Sequence, residues 1–147
     1  MSGDCTTGTD LGNIAVGGSI TGPISQVHLP TESQWYSAAF PPTGPATAGG
    51  GKPHVSFALN TNDAYALEVI APDCAGSPTS CAEDAGTDSD AGTGGGVTDW
   101  SFTDDQSVAG AGAWSNRTVP WPATVHVRVF RAQPVPGCDD YQLSVTR

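Results

Sequence analysis

Basic residues are almost missing from this chain: five Lys and Arg, only one of them lysine, stand against 15 Asp and Glu, for a formal charge of −10. So few cations exclude a nucleic-acid duplex or an anionic membrane surface as partner, because both are held by clustered positive charge. Long hydrophobic runs are missing too. Nothing approaches the ~20 apolar residues that span a bilayer, so no membrane insertion is expected. Met1-Ser-Gly is followed at once by polar residues, where a leader would place its apolar core. Runs of strong helix formers are likewise absent, and there is one methionine.

Several catalytic signatures are also lacking. No Gly-x-Ser-x-Gly elbow offers a serine nucleophile. The stretch Gly44 to Lys52 fails as a phosphate loop, because Ala46 stands where the first glycine belongs and Pro53 replaces the hydroxyl residue. No cysteine pair has the Cys-x-x-Cys spacing of a zinc site, and His28, His54 and His126 lie far apart in sequence. His54 and His126 alternate with valines and read as solvent-facing strand residues. The acids include no carboxylate pair in apolar surroundings that would raise its proton affinity for glycosidase chemistry. The reading is therefore non-enzymatic.

What is present is 19 glycines and 12 prolines punctuating short apolar runs across 147 residues, the length of one domain with a real core. Two such runs dominate: Thr124 to Arg131, with Val125, Val127 and Val129 on one side, and Asp140 to Thr146, with Tyr141, Leu143 and Val145. Period-two alternation is the mark of a half-buried strand, and such rows must bury themselves against a second layer. Gln34 to Phe40 alternates on Tyr36, Ala38 and Phe40. Lys52 to Leu59 alternates on Val55, Phe57 and Leu59, and Ala64 to Ile70 on Tyr65, Leu67 and Val69. These last two runs, joined by the turn sequence Asn60 to Asp63, read as a hairpin, and so does the final pair across its Pro-rich turn. Ile14 to Ser25 offers short edge segments broken by Pro23. Val97 to Thr103 is a short strand carrying Trp100 and Phe102. The prediction is an all-β chain of about eight short, mainly antiparallel strands in a single β-sandwich over residues 14–147. Residues 1–13 read as a flexible tether, and 73–96 as a long acidic Gly-rich loop with nothing to bury.

Four cysteines allow three pairings. Cys74 with Cys81 would close a local loop, and Cys5 with Cys138 would pin the N-terminus to the last turn. In the chain-entropy picture these bridges contribute roughly 2.5 and roughly 5 kcal/mol. Such staples imply an oxidising compartment, so the expectation is a secreted protein with Met1 standing where a leader was removed.

The acidic loop invites calcium, since carboxylates alternating among glycines suit a hard cation; Asp84, Asp88, Asp90 and Asp99 are the candidate ligands. Aligned on Asp88, however, Gly92 takes the fifth ligand place and Thr93 the required glycine, so it is not the helix-loop-helix motif. A solvated low-complexity loop competes with that reading. No cofactor is required, and calcium is the one candidate. Trp35 alternates away from the Tyr36 row, Trp100, Trp114 and Trp121 lie in Gly-, Pro-, Ser- and Thr-rich neighbourhoods, and exposed indoles on a rigid sandwich could stack on sugar rings or peptide ligands. The opposing reading has Trp100 and Trp121 closing the ends of the core. Asn116-Arg-Thr118 fits a glycosylation pattern too short to carry weight.

In order and motif these elements resemble the bacterial pre-peptidase C-terminal domain. The matching text is Gly18-Ser-Ile-Thr-Gly22, Gln34-Trp-Tyr-Ser-Ala-Ala-Phe40, Lys52-Pro-His-Val-Ser-Phe-Ala-Leu59, Ala64-Tyr-Ala-Leu-Glu-Val-Ile70, Val125-His-Val-Arg-Val-Phe130 and Asp140-Tyr-Gln-Leu-Ser-Val-Thr146, from about Ile14 to the end. The resemblance implies a jelly-roll-like fold. It also implies a non-catalytic extracellular accessory domain for secretion, localisation or adhesion, whose partner is an extracellular polymer (polysaccharide or protein fibre) or a parent secreted protein. The alternative is a structural subunit that self-associates through strand edges into a filament or surface layer.

Overall fold

The computed structural model describes residues 5–41, 54–70, 96–101 and 124–147. These build β1 (Thr9–Asn13), β2 (Ser19–Thr21), β3 (Ser33–Ala39), β4 (His54–Asn60), β5 (Tyr65–Ile70), β6 (Asp99–Ser101), β7 (Thr124–Arg131) and β8 (Tyr141–Thr146), with 3-10 turns at Cys5–Thr7 and Thr61–Asp63. Two four-stranded sheets result, ordered β1-β3-β7-β5 and β2-β8-β4-β6. All odd-numbered strands are in the first sheet and all even-numbered strands in the second.

The alternation read from the sequence sets the inner faces. Tyr36 and Ala38 on β3, Tyr65, Leu67 and Val69 on β5, and Val125, Val127 and Val129 on β7 form one buried wall. Val55 on β4, Trp100 on β6, and Tyr141, Leu143 and Val145 on β8 form the other. Both walls belong to a single core cluster with Ile14, Val27 and Phe40, an arrangement that fits a β-sandwich. Each fully buried large side chain contributes about 1.5–3 kcal/mol through its removal from water. Tyr141 is the hub of the cluster. Its ring lies edge-on to Tyr36 at 6.4 Å and to Phe57 at 6.1 Å, and tilted against Tyr65 at 4.7 Å.

Four expectations are corrected. First, the two hairpins do not form: β4 pairs with β8 and β6, and β5 pairs with β7, so both turns carry the chain from one sheet to the other. The short turn Thr61–Asp63 makes that crossing with Asn62 and Asp63 in the left-handed region, at φ 58° and 49°. Asn60 fixes it by accepting from the Tyr65 N–H and donating to the Tyr65 carbonyl. Second, residues 9–13 are not a tether but β1, parallel to β3. This strand carries one sizeable apolar residue, Leu11, and so gives no alternation signal. Its backbone pairing with β3 supplies what the side chains do not. Third, Leu59 is exposed although it continues the Val55 and Phe57 row. The β4–β8 register slips between Phe57 and Leu59, and one extra residue turns every later side chain to the other face.

Fourth, Cys138 is an exposed free thiol, so the Cys5–Cys138 bridge is not made. Cys5 is disulfide-bonded, with a partner other than Cys138. Cys74 and Cys81 lie outside the described residues, as does most of the acidic segment 73–96.

Candidate functional site

Three connections meet at one end of the sheets: residues 22–32 between β2 and β3, 61–64 between β4 and β5, and 132–140 between β7 and β8. Arg131, the last residue of β7, falls on the inward side of the strand and is 5 % exposed. A buried guanidinium needs acceptors on every side. It donates to the Val135 carbonyl at 2.9 Å, the Val27 carbonyl at 3.4 Å, the Tyr65 hydroxyl at 3.4 Å and the Asp139 carboxylate at 2.8 Å. Asp139 also accepts from Asn62 Nδ2 at 2.8 Å. The Arg131 hydrogen bond, then the one from Asn62, hold this carboxyl below its usual range. Tyr65 has one hydroxyl hydrogen, which goes to the Asp139 carbonyl, while its oxygen accepts from Arg131 and from the Val27 N–H at 3.3 Å. Gly137 passes so close that a Cβ there would sit 2.5 Å from Arg131 Nη2. The cluster ties the three crossings together and uses its polar capacity internally, which is the arrangement of a structural lock.

A second buried polar chain joins the sheets. Tyr36 on β3 and Tyr141 on β8 meet hydroxyl to hydroxyl at 2.8 Å, and Tyr141 donates onward to Gln34 Oε1 at 2.8 Å. Burial first, and hydrogen bonding to Tyr36 second, push the Tyr141 phenol far above the ordinary tyrosine range.

The outer faces differ sharply. On the first sheet, register places Trp35, Arg128 and Glu68 in one row, with Ser37, His126 and Ile70 next to it and Ser33, Phe130 and Ala66 beyond. Arg128 pairs with Glu68 at 3.3 Å and lies over the Phe130 ring at 5.2 Å. Ala66 and Ile70 are buried although they point outward, so part of this face is covered. Two buried ring nitrogens among the described residues, His126 Nδ1 here and Trp100 Nε1 in the core, have no hydrogen-bond partner.

On the second sheet, the outer face carries Thr21, Ser144, Ser56 and Asp99 in one cross-strand row and Ser19, Thr146 and His54 in the next. None is buried. His54 Nε2 donates to the Asp99 carboxylate at 2.8 Å.

Of the residues singled out from sequence, Trp35 is half-buried on the outer face of β3, as its alternation implied. Trp100 is 5 % exposed and packs in the core, so it offers no ring to a ligand. Asp99 is exposed and already paired with His54. Trp114, Trp121, Asp84, Asp88 and Asp90 lie outside the described residues. No group of three or more His, Cys, Asp or Glu side chains among the described residues could hold a metal. Sequence reasoning missed Arg131, Asp139 and Tyr65 as a unit. The available signal was an arginine at the inward end of a valine alternation, where a strand's buried row ends on a charge that must find partners.

No family model matches the chain, and neither curated proteins nor solved structures yield a similar one.

Proposed function

We propose that this chain is a non-catalytic accessory domain that works outside the cell and holds a larger polypeptide or assembly to an extracellular polymer, on a jelly-roll-like β-sandwich. The observation that carries the reading is the allocation of polar groups. Arg131, Asp139, Asn62, Tyr65, Tyr36, Tyr141 and Gln34 are committed to one another or to backbone, stiffening the two-sheet body, and leave its outer faces as working surface. The division of eight strands between two four-stranded sheets supports the sandwich part of that comparison. The disulfide at Cys5 supports an oxidising location.

Assembly through strand edges is the weaker alternative, since the four edge strands are blunted. β2 and β6 have three residues each, β1 is bulged with Gly12 at φ +89°, and β5 is capped by mutual hydrogen bonds between Leu67 and Val97. The test is capture of the purified chain on insoluble polysaccharides and on collagen, together with its mass in solution. Retention on one polymer by a monomer supports the accessory reading. A monomer retained by none of them refutes adhesion, and concentration-dependent growth into filaments supports the alternative.

A further inference from the structure

We infer that the outer face of the second sheet is a binding surface for an uncharged, hydroxyl-rich polysaccharide, with Thr21, Ser144 and Ser56 as its central row and Ser19 and Thr146 beside them. The inference rests on the adhesion reading above and names its ligand class and location. A solvated sheet face ordinarily carries lysine, arginine and glutamate among its outward residues. This face carries none of the three across those two rows or the Leu59 and Gln142 pair beside them, although the chain has 15 acids to distribute. Its one carboxylate, Asp99, is paired with His54 at the rim.

Five hydroxyls therefore stand in a two-row array, with cross-strand neighbours about 4.5–5.5 Å apart at Cβ and successive residues of a row position about 7 Å apart along each strand. None is buried, and each hydroxyl can both donate and accept. A sugar polymer presents the same dual capacity at repeating intervals, so hydrogen bonds can form in either sense along a strand of it, directly or through water. Charge selects among polymers: a chain at −10 repels polyanions, and a face without cations offers them no compensation. Leu59, beside Gln142 beyond the β4 register slip, is the one large apolar side chain that the described residues expose on this face, too little for a peptide ligand to bury. The first sheet's outer face does not compete on these grounds, since it is partly covered and carries an ion pair.

The experiment compares the wild-type chain with Ser56→Ala/Ser144→Ala and with Thr21→Val/Thr146→Val for retention on cellulose and chitin particles, with alginate as the anionic arm. Trp35→Ala tests the other face. Each hydroxyl variant is expected to lose at least tenfold in retention on the neutral polymer with an unchanged melting temperature, Trp35→Ala to change it less than twofold, and alginate to retain nothing. Amide shifts on adding the soluble hexasaccharide of the retained polymer give a readout independent of variant folding, and are expected at residues 19–21, 56 and 144–146. Retention by both hydroxyl variants within twofold of wild type, loss with Trp35→Ala instead, or shifts confined to the first sheet would overturn the site while leaving adhesion standing. A wild-type chain captured by collagen alone would overturn the ligand class, and one captured by nothing would remove the adhesion reading itself.

Discussion

The Tyr36–Tyr141 contact gives the most direct test that β3 and β8 face each other across one core. Their hydroxyls are 2.8 Å apart, and the relay runs from Tyr36 through Tyr141 to Gln34 Oε1. Tyr141→Phe removes the middle member and leaves the buried Tyr36 hydroxyl without a partner, while the half-buried Gln34 can recruit water. An orphaned buried donor costs about 1–3 kcal/mol, so a loss of about 2 kcal/mol is expected. Tyr36→Phe leaves Tyr141 bonded to Gln34 and should cost about 1 kcal/mol, the net worth of one ordinary hydrogen bond. In the double variant nothing is orphaned on the Tyr36 side. Its loss should therefore fall short of the sum of the singles by about 1 kcal/mol, within the coupling range for groups in contact. The assay is urea unfolding followed by far-ultraviolet circular dichroism, with equal m values required across the four proteins. Additivity within about 0.3–0.5 kcal/mol would refute the contact, and with it the placement of the two strands in opposing layers.

The raised Tyr141 phenol makes a linked prediction. Its protonated form is favoured by folding, so this contribution is complete below the ordinary tyrosine value near pH 10 and is lost as pH rises beyond it; Tyr141→Phe should flatten the alkaline limb of a stability profile. Asp139 works in the opposite direction: its lowered proton affinity adds stability above the ordinary aspartate value of 3.8, lost as pH falls below that, and Asp139→Asn should remove the acid-side slope while lowering the midpoint at pH 7. Cys138 should react with a thiol reagent in the native protein and Cys5 should not, as read by peptide mass after alkylation without reductant. Leu143→Ala should cost about 2–5 kcal/mol by leaving a cavity, while Leu59→Thr, past the register slip, should stay within about 0.5 kcal/mol in the same denaturation assay.

Strand content was written in side-chain alternation wherever a strand buries one face. Val125, Val127 and Val129, like Tyr141, Leu143 and Val145, declared their inward sides because water and core select different residues at every second position. β1 was invisible for the same reason, since an edge strand with one apolar residue leaves no such record. Trp100 illustrates the limit for single residues. Its Gly- and Thr-rich neighbourhood was compatible with an exposed indole or a buried one, and its pairing with Val55 across β6 and β4 put it inside.

The sequence by itself determined that this is an acidic β protein with inward rows of Val, Tyr and Leu, because period-two burial acts residue by residue along one strand. Which strands become neighbours was decided only in three dimensions. The turns at Asn60 to Asp63 and Gln133 to Cys138 would serve a hairpin or a crossing equally well as text, and it is the long-range pairing of β4 with β8 and of β5 with β7 that makes both of them crossings. The same tertiary choice brought Arg131, Asp139, Asn62 and Tyr65 from separate segments into one lock, and set hydroxyls from β2, β4 and β8 side by side on one open face. Local propensity cannot encode those meetings, since each needs backbone partners distant in the chain.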